Sequence, residues 1–289
     1  MYKQIKQNKR NTILIMIGFV VFITGLGALL AWALNDWWVV AGIFIVALVY
    51  AIIQYFAASS IAVAMTGAQE ISKKDNRRLY NTVENLALTA GLPMPKVYII
   101  DDPAPNAFAS GRDPEHSLVC ATTGLLDIMD DKELTAVMAH EMSHIKNYDI
   151  RVSMITFGLV CVIGLVSDLG LRMLVFGDDD DRSPVGFFVI LITSVLSPFA
   201  AAIAQMAVSR EREYLADASA VNLTRYPEGM SSALKKLAEH TRPMHRQNTA
   251  TEAMFITSPL KKGFFSNLFS THPPLEKRIE RIEHGKWSF

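Results

Sequence analysis

Cysteine is nearly absent: 289 residues hold two, Cys120 and Cys161. Two thiols so far apart, one of them inside an apolar run, provide no disulfide framework and no cysteine-based zinc knuckle; they read as buried, reduced thiols. Net charge is absent as well, with 28 Lys and Arg against 28 Asp and Glu, so no strong field draws nucleic acid or acidic partners. No internal repeat is evident. A large soluble domain is missing too, which argues against a built-in unfolding motor and makes any ATP-driven partner a separate protein.

What is present is block structure. The hydrophobic fraction, 51%, is only slightly above that of a soluble protein, but it is concentrated in runs at about 13–34, 38–57, 152–176 and 185–208. Each is long enough for the roughly 20 residues that a helix needs to cross a bilayer core. The first is too long for a signal peptide and lacks a small-residue cleavage site. The second follows almost at once, so the two predict a helical hairpin.

Basic residues near the run ends set the orientation. Lys3, Lys6, Lys9 and Arg10 precede the first run, and Lys73, Lys74, Arg77 and Arg78 follow the second. Lys146 and Arg151 precede the third, and Arg210 and Arg212 follow the fourth. The opposite loops are Asn35-Asp36-Trp37 and 177–183, where Asp178, Asp179, Asp180 and Asp181 face a single Arg182. Both termini and the 58–150 and 209–289 segments are therefore expected on the cytoplasmic side, with Trp37 and Trp38 at the other interface. Asp168 and Arg172, one helical turn apart inside the third run, read as an ion pair snorkelling towards the acidic loop rather than as a proton relay.

The organisation predicted is a transmembrane hairpin over 1–57, a catalytic part over 58–151, a second hairpin over 152–208, and a second catalytic part over 209–289. Residues 68–91 predict a helix stopped by Gly91, and 96–101, 106–110 and 117–122 predict strands of a small antiparallel sheet. Asp130 or Asp131 caps a helix beginning near Lys132, with Glu133 in its first turn. Residues 241–271 read as a long loop that covers substrate, with apolar islands at Met254-Phe255-Ile256 and Phe264-Phe265.

The chemistry lies on the capped helix. His140-Glu141-Met142-Ser143-His144 places two imidazoles four residues apart on one face, able to share one ion, with Glu141 beside them. Such an ion polarises a scissile carbonyl and acidifies water, and a carboxylate that does not ligate it moves the proton to the leaving amine. A catalytic zinc takes a third protein ligand. Arg210-Glu211-Arg212-Glu213-Tyr214-Leu215-Ala216-Asp217, after the fourth run, offers Glu211, Glu213 and Asp217. The spacing does not choose among them, although one would ligate while another orients a histidine. Both ligand helices leave the membrane on the same side.

These residues carry a resemblance. The hairpin, Pro105-Asn106-Ala107-Phe108-Ala109, the His140–His144 motif running into Asn147 and Asp149, Glu213-Tyr214-Leu215-Ala216-Asp217, Met254-Phe255-Ile256 and Ser270-Thr271-His272-Pro273-Pro274 occur in the order found in HtpX-like membrane metalloproteases, relatives of the CAAX prenyl proteases. The chain resembles that family over nearly its full length. The resemblance implies a mainly α membrane protein, four transmembrane helices with a zincin-type cytoplasmic domain, holding one zinc ion on His140, His144 and Glu213. It implies Glu141 as general base, Asp217 as the partner orienting a ligand, His272 as oxyanion stabiliser, and Asn106, Ala107, Phe108 and Ala109 as the strand that pairs with an extended substrate. It further implies a multi-pass protein of a bacterial plasma membrane, cutting misfolded or damaged membrane proteins, with no nucleic-acid partner. A prenyl-protein protease is expected to have more spans, a zinc transporter would place its ligands near the membrane midplane, and a non-catalytic scaffold has no need of Glu141.

Overall fold

The computed structural model describes residues 2–176, 210–246, 254–257 and 273–285. Helices α1 (Tyr2–Leu34) and α2 (Trp38–Thr66) form the N-terminal hairpin, each running beyond the apolar run that predicts it. Within them Ile5–Leu29 and Trp38–Thr66 are long and apolar enough to cross a membrane, and only 22% and 17% of their most apolar windows are buried. Val21 is 66% exposed, Val46 68% and Phe56 60%; such a continuous apolar exterior suits lipid rather than water. The third run lies on α6 (Asp149–Phe176), a single helix. The side chains of Asp168 and Arg172, the acidic loop and the fourth run lie outside the described residues.

Beyond α2 the chain turns through Gly67, in the left-handed region at φ 72°, into β1 (Gln69–Glu70) and then α3 (Arg77–Ala90). The helix predicted over 68–91 is therefore shorter at its start. The Asn76 side chain accepts the Leu79 N–H as an N-cap, and Gln69 and Glu70 pair instead with Ile99 and Tyr98. Gly91, at φ 66°, closes the helix as expected.

The sheet holds β1, β2 (Lys96–Ile100), β3 (Ala107–Gly111) and β4 (Ser117–Thr122) in the order β1-β2-β4-β3. It is mixed, not antiparallel. β3 and β4 form an antiparallel hairpin, and β4 inserts beside β2 in parallel, Val97 opposite Val119. The hairpin enters with its second strand innermost, leaving β3 at the edge. Gly111 permits the turn: its φ is 149°, and a Cβ there would stand 2.5 Å from the His116 carbonyl oxygen. β4 is buried along its whole length, as a central strand covered on both faces must be.

The strand period of two divides the protein's two apolar cores. Val97, Ala107, Ala109, Val119 and Ala121 point to the core under the helices described next. Ile100, Phe108, Leu118 and Cys120 point to a second core shared with α1, α2 and α6. The sheet thus joins the N-terminal hairpin to the helices that follow it. After β4 come α4 (Thr123–Ile128) and α5 (Asp131–Lys146). Asp130 caps α5 in a reciprocal capping box with Glu133. Helices α7 (Arg210–Thr224) and α8 (Pro227–Glu239) pack on α5, and α9 (Leu275–Glu283) packs on α7 and α8.

Candidate metal centre

Helix α5 is buried along nearly its whole length, and His140 and Glu141 are 1% and 2% exposed. The two histidines are one turn apart, so their rings meet edge to face with centroids 4.7 Å apart and their Nε2 atoms 3.2 Å apart. Helix α7 crosses α5 and delivers Glu213, whose Oε2 lies 3.7 Å from His140 Nε2 and whose Oε1 lies 3.7 Å from His144 Nε2. One ligand atom from each of these three residues lies within 4.8 Å of the other two. Of the other acids left open by the spacing, Glu211 is exposed, and Asp217, a turn beyond Glu213, reaches the far side of His140.

The far nitrogens are committed. His140 Nδ1 lies 2.9 Å from Asp217 Oδ1, and His144 Nδ1 lies 3.0 Å from Asp149 Oδ2. A carboxylate accepts only, so each Nδ1 carries the proton and each Nε2 of a neutral ring presents a lone pair. Two lone pairs facing each other at 3.2 Å repel unless a cation stands between them. Two nitrogens on a tetrahedral zinc, at bond lengths of about 2.0 Å, lie about 3.3 Å apart. The donor set and its spacing therefore fit a metal ion.

Asp149 reaches back to His144 because Tyr148 takes the left-handed conformation at φ 61°, between the end of α5 and the start of α6. Its other oxygen accepts from Asn8 Nδ2 of α1 at 2.6 Å, and Arg212 Nη1 is 3.9 Å away. Asp217 accepts from Arg278 of α9 through Nη2 at 2.6 Å and Nε at 2.9 Å. Arg278 is 0% exposed, and its Nη1 lies 3.7 Å from Glu213 Oε2.

Charge balance follows from this packing. Burial disfavours charge on His144, but the Asp149 hydrogen bond and the Glu213 carboxylate outweigh it and push its pKa up to about 9. The carboxylates that favour a proton on His144 would equally favour a metal ion at its Nε2. Burial pushes Glu141 above the usual carboxylate range, against the pull of His140 and His144, and Glu213 adds to the rise. That is the direction required of a group that takes and returns a proton near neutrality. Burial also acts to raise Asp217, yet Arg278 and His140 hold it below the usual range, as an anion.

Asn106–Ala109, the strand expected to meet substrate, is buried. Its outer edge is paired with the chain's own 255–257 segment. Phe108 bridges Phe255, Ile256 N–H donates to the Ala107 carbonyl at 3.0 Å, and the Asn106 side chain exchanges hydrogen bonds with Thr257 at 2.9 and 3.2 Å. Part of the predicted covering loop thus bridges the open edge of the sheet. His272 and Phe264-Phe265 lie outside the described residues. Asn8, Arg212 and Arg278 were not singled out for the site by sequence reasoning, and Asp149 was noted without a role; each is one polar residue with no motif spacing of its own.

Comparison with known proteins agrees with this geometry. Residues 73–286 match peptidase family M48. A protease HtpX homolog of Tropheryma whipplei is 53% identical over 285 residues, covering 98% of both chains. Another, from Ligilactobacillus salivarius, is 45% identical over 296 residues, covering 98% of this chain and 99% of the relative. The crystal structure of S. mikatae Ste24p shares the fold, with a TM-score of 0.51 and 19% identity over 98% of this chain and 67% of that one. On its sequence, its fold and its cluster of ligand-type side chains, the chain belongs to peptidase family M48, among the HtpX-type membrane proteases.

Proposed function

We propose that the protein is a zinc-dependent endopeptidase that cuts cytoplasmic segments of misfolded or damaged membrane proteins. The observation that carries this reading is the convergence of His140 Nε2, His144 Nε2 and a Glu213 carboxylate oxygen, with both Nδ1 atoms committed to carboxylates. His140, His144 and Glu213 hold the ion, which when bound supplies Lewis acidity to the scissile carbonyl and to water. Glu141 takes the proton of the attacking water and passes it to the leaving amine. Asp217 and Asp149 keep each imidazole in the tautomer that offers Nε2. Arg278 supplies the positive charge that lets Asp217 stay ionised in a buried place. His272, by family resemblance, stabilises the oxyanion.

In this reading the chain crosses a bacterial plasma membrane four times, with both termini and the active site cytoplasmic. The basic clusters around the apolar runs support that orientation. An extended substrate aligns on Asn106–Ala109 by strand addition; at Ala107 and Phe108 that requires Phe255–Thr257 to leave the edge.

The test is cleavage of an unstructured protein by the purified full-length chain with zinc, beside Glu141→Gln. The wild type should cut, and the variant should bind zinc with the same stoichiometry and cut nothing. Equal cleavage by both proteins would remove Glu141 from the reaction.

A further inference from the structure

Asn8 lies in a stretch of α1 where Lys6, Gln7, Lys9 and Arg10 surround it, yet it is 2% exposed. Its single amide group spends both hydrogens at the metal centre. One goes to the Asn147 carbonyl at 2.9 Å, at the end of the helix that carries the two histidines, and the other to Asp149 Oδ1 at 2.6 Å. The second oxygen of that carboxylate accepts from His144 Nδ1 at 3.0 Å. Thr12, also buried, donates to the Asn8 carbonyl at 2.9 Å and fixes that turn of α1.

We infer that Asn8, on the first membrane helix, is a positioning residue of the metal centre: it clamps Asp149 to the end of α5 and so sets the orientation of the His144 ring. The inference rests on the proposed metal-dependent activity and deepens it.

Among the described residues Asp149 has two other polar side chains beside it, His144 itself and Arg212, with Nη1 at 3.9 Å. The latter is beyond hydrogen-bond distance, so Asn8 supplies the short bond that fixes where the carboxylate points. A neutral donor suits this task. A lysine in its place would draw the charge of Asp149 away from the imidazole, whereas an amide holds the geometry and leaves that charge for His144. Its two hydrogens also bind the carbonyl of Asn147 and the carboxylate of Asp149 at once, on either side of Tyr148, the residue at φ 61°. The turn that brings Asp149 to His144 is therefore pinned from α1. The membrane hairpin is more than an anchor: its first helix contributes a side chain two hydrogen bonds from a metal ligand.

The experiment uses the full-length protein in detergent. Zinc affinity is measured by competition with a chelator, and ligand geometry by the visible absorption of the cobalt(II) form. Outer partners of metal-bound histidines change metal affinity by about 10- to 100-fold. Asn8→Ala, one bond further out, should weaken zinc binding by about 10-fold and alter the cobalt bands. In an Asp149→Ala background the same change should weaken binding no further, because the two residues act in series. Gln7→Ala, at the exposed neighbour of Asn8 on the same helix, should keep wild-type zinc affinity. If Asn8→Ala does not fold, Asn8→Ser reads the same quantities. Wild-type zinc affinity and cobalt spectrum in a folded Asn8 variant, or multiplicative losses in the double variant, would overturn the inference. A wild type that cleaves with no zinc at the His140 site would instead overturn the proposed function.

Discussion

Arg278 grips Asp217 with two hydrogen bonds, 2.6 Å from Nη2 and 2.9 Å from Nε, and neither side chain meets solvent to any extent. The pair joins the last described helix to the residue that orients His140, so the charge removed from one side of this contact is felt at the metal centre. Removing one member of a buried ion pair costs about 3–5 kcal/mol. Arg278→Met should therefore lower stability by that amount and reduce zinc content, both read on the purified protein by denaturant unfolding and metal analysis. Arg278→Lys keeps the charge but not the two-pronged geometry, and should fall between the two.

Chelation tests the centre as a whole. On the proposed function, the buried His140, Glu213, Asp149 and Asp217 and the half-buried His144 are balanced by an ion that binds the folded chain only. Linkage then gives about 4 kcal/mol at a free zinc concentration a thousandfold above Kd. Treatment with a chelator should lower the unfolding temperature, and added zinc should restore it. An unfolding temperature indifferent to both would show that no structural ion resides there.

Glu133 ties acid stability to the start of α5. Burial acts to raise its pKa, but hydrogen bonds from Lys236, Ser232 and the Asp130 amide outweigh that and hold it below the usual glutamate range. A group depressed in the folded state contributes its full stability above the unfolded pKa of about 4.3 and loses it as pH falls through the folded value. Unfolding temperature should decline across that acid window, and Glu133→Gln should flatten the decline. At neutral pH the same variant should be less stable by about 2 kcal/mol, the range of hydrogen bonds to charged groups.

Asn106, just before β3, ties the edge of the sheet to the chain's own Phe255–Thr257 segment. Its amide binds both the carbonyl and the N–H of Thr257, so Asn106→Ala leaves those groups without it, at about 1–3 kcal/mol. Hydrogen exchange at the Ile256 amide, which donates to the Ala107 carbonyl, should accelerate. Unchanged exchange there would mean that Phe255–Thr257 is held by the contact of Phe255 with Phe108 alone.

The pairing of His140 and His144 was legible because a helical period of 3.6 residues leaves no other place for them, and the Asp130–Glu133 capping box marks where that helix begins. Three strands and the hairpin were legible for the same reason: local patterning determines them. The third ligand, Glu213, was legible through the family resemblance alone and not from spacing. Glu213 and Asp217 share a helical face, and only the crossing of α7 over α5 decides that one meets both Nε2 atoms while the other goes behind His140. The parallel pairing of β2 with β4 was hidden because side-chain alternation is the same in either direction. β1 was hidden because it has two residues. Arg278 sits in Leu275–Glu283, a run of alternating charge that reads as solvated, and Asn8 sits among lysines; nothing local marks either as buried. Asp149 lies five residues from His144, a spacing off the helical period that works only through the reversal at Tyr148.

The spread of the centre along the chain has a consequence for synthesis. Asn8 and Asp149 are 141 residues apart in sequence, and Arg278 is 138 residues from His140. A polypeptide emerging from the ribosome has both histidines in hand while Glu213, Asp217 and Arg278 are still untranslated. Its N-terminal hairpin has been made by then, yet the residue cluster stays incomplete until the chain has grown past residue 278. On the proposed function, a nascent copy therefore stays inactive until nearly its whole length has been made.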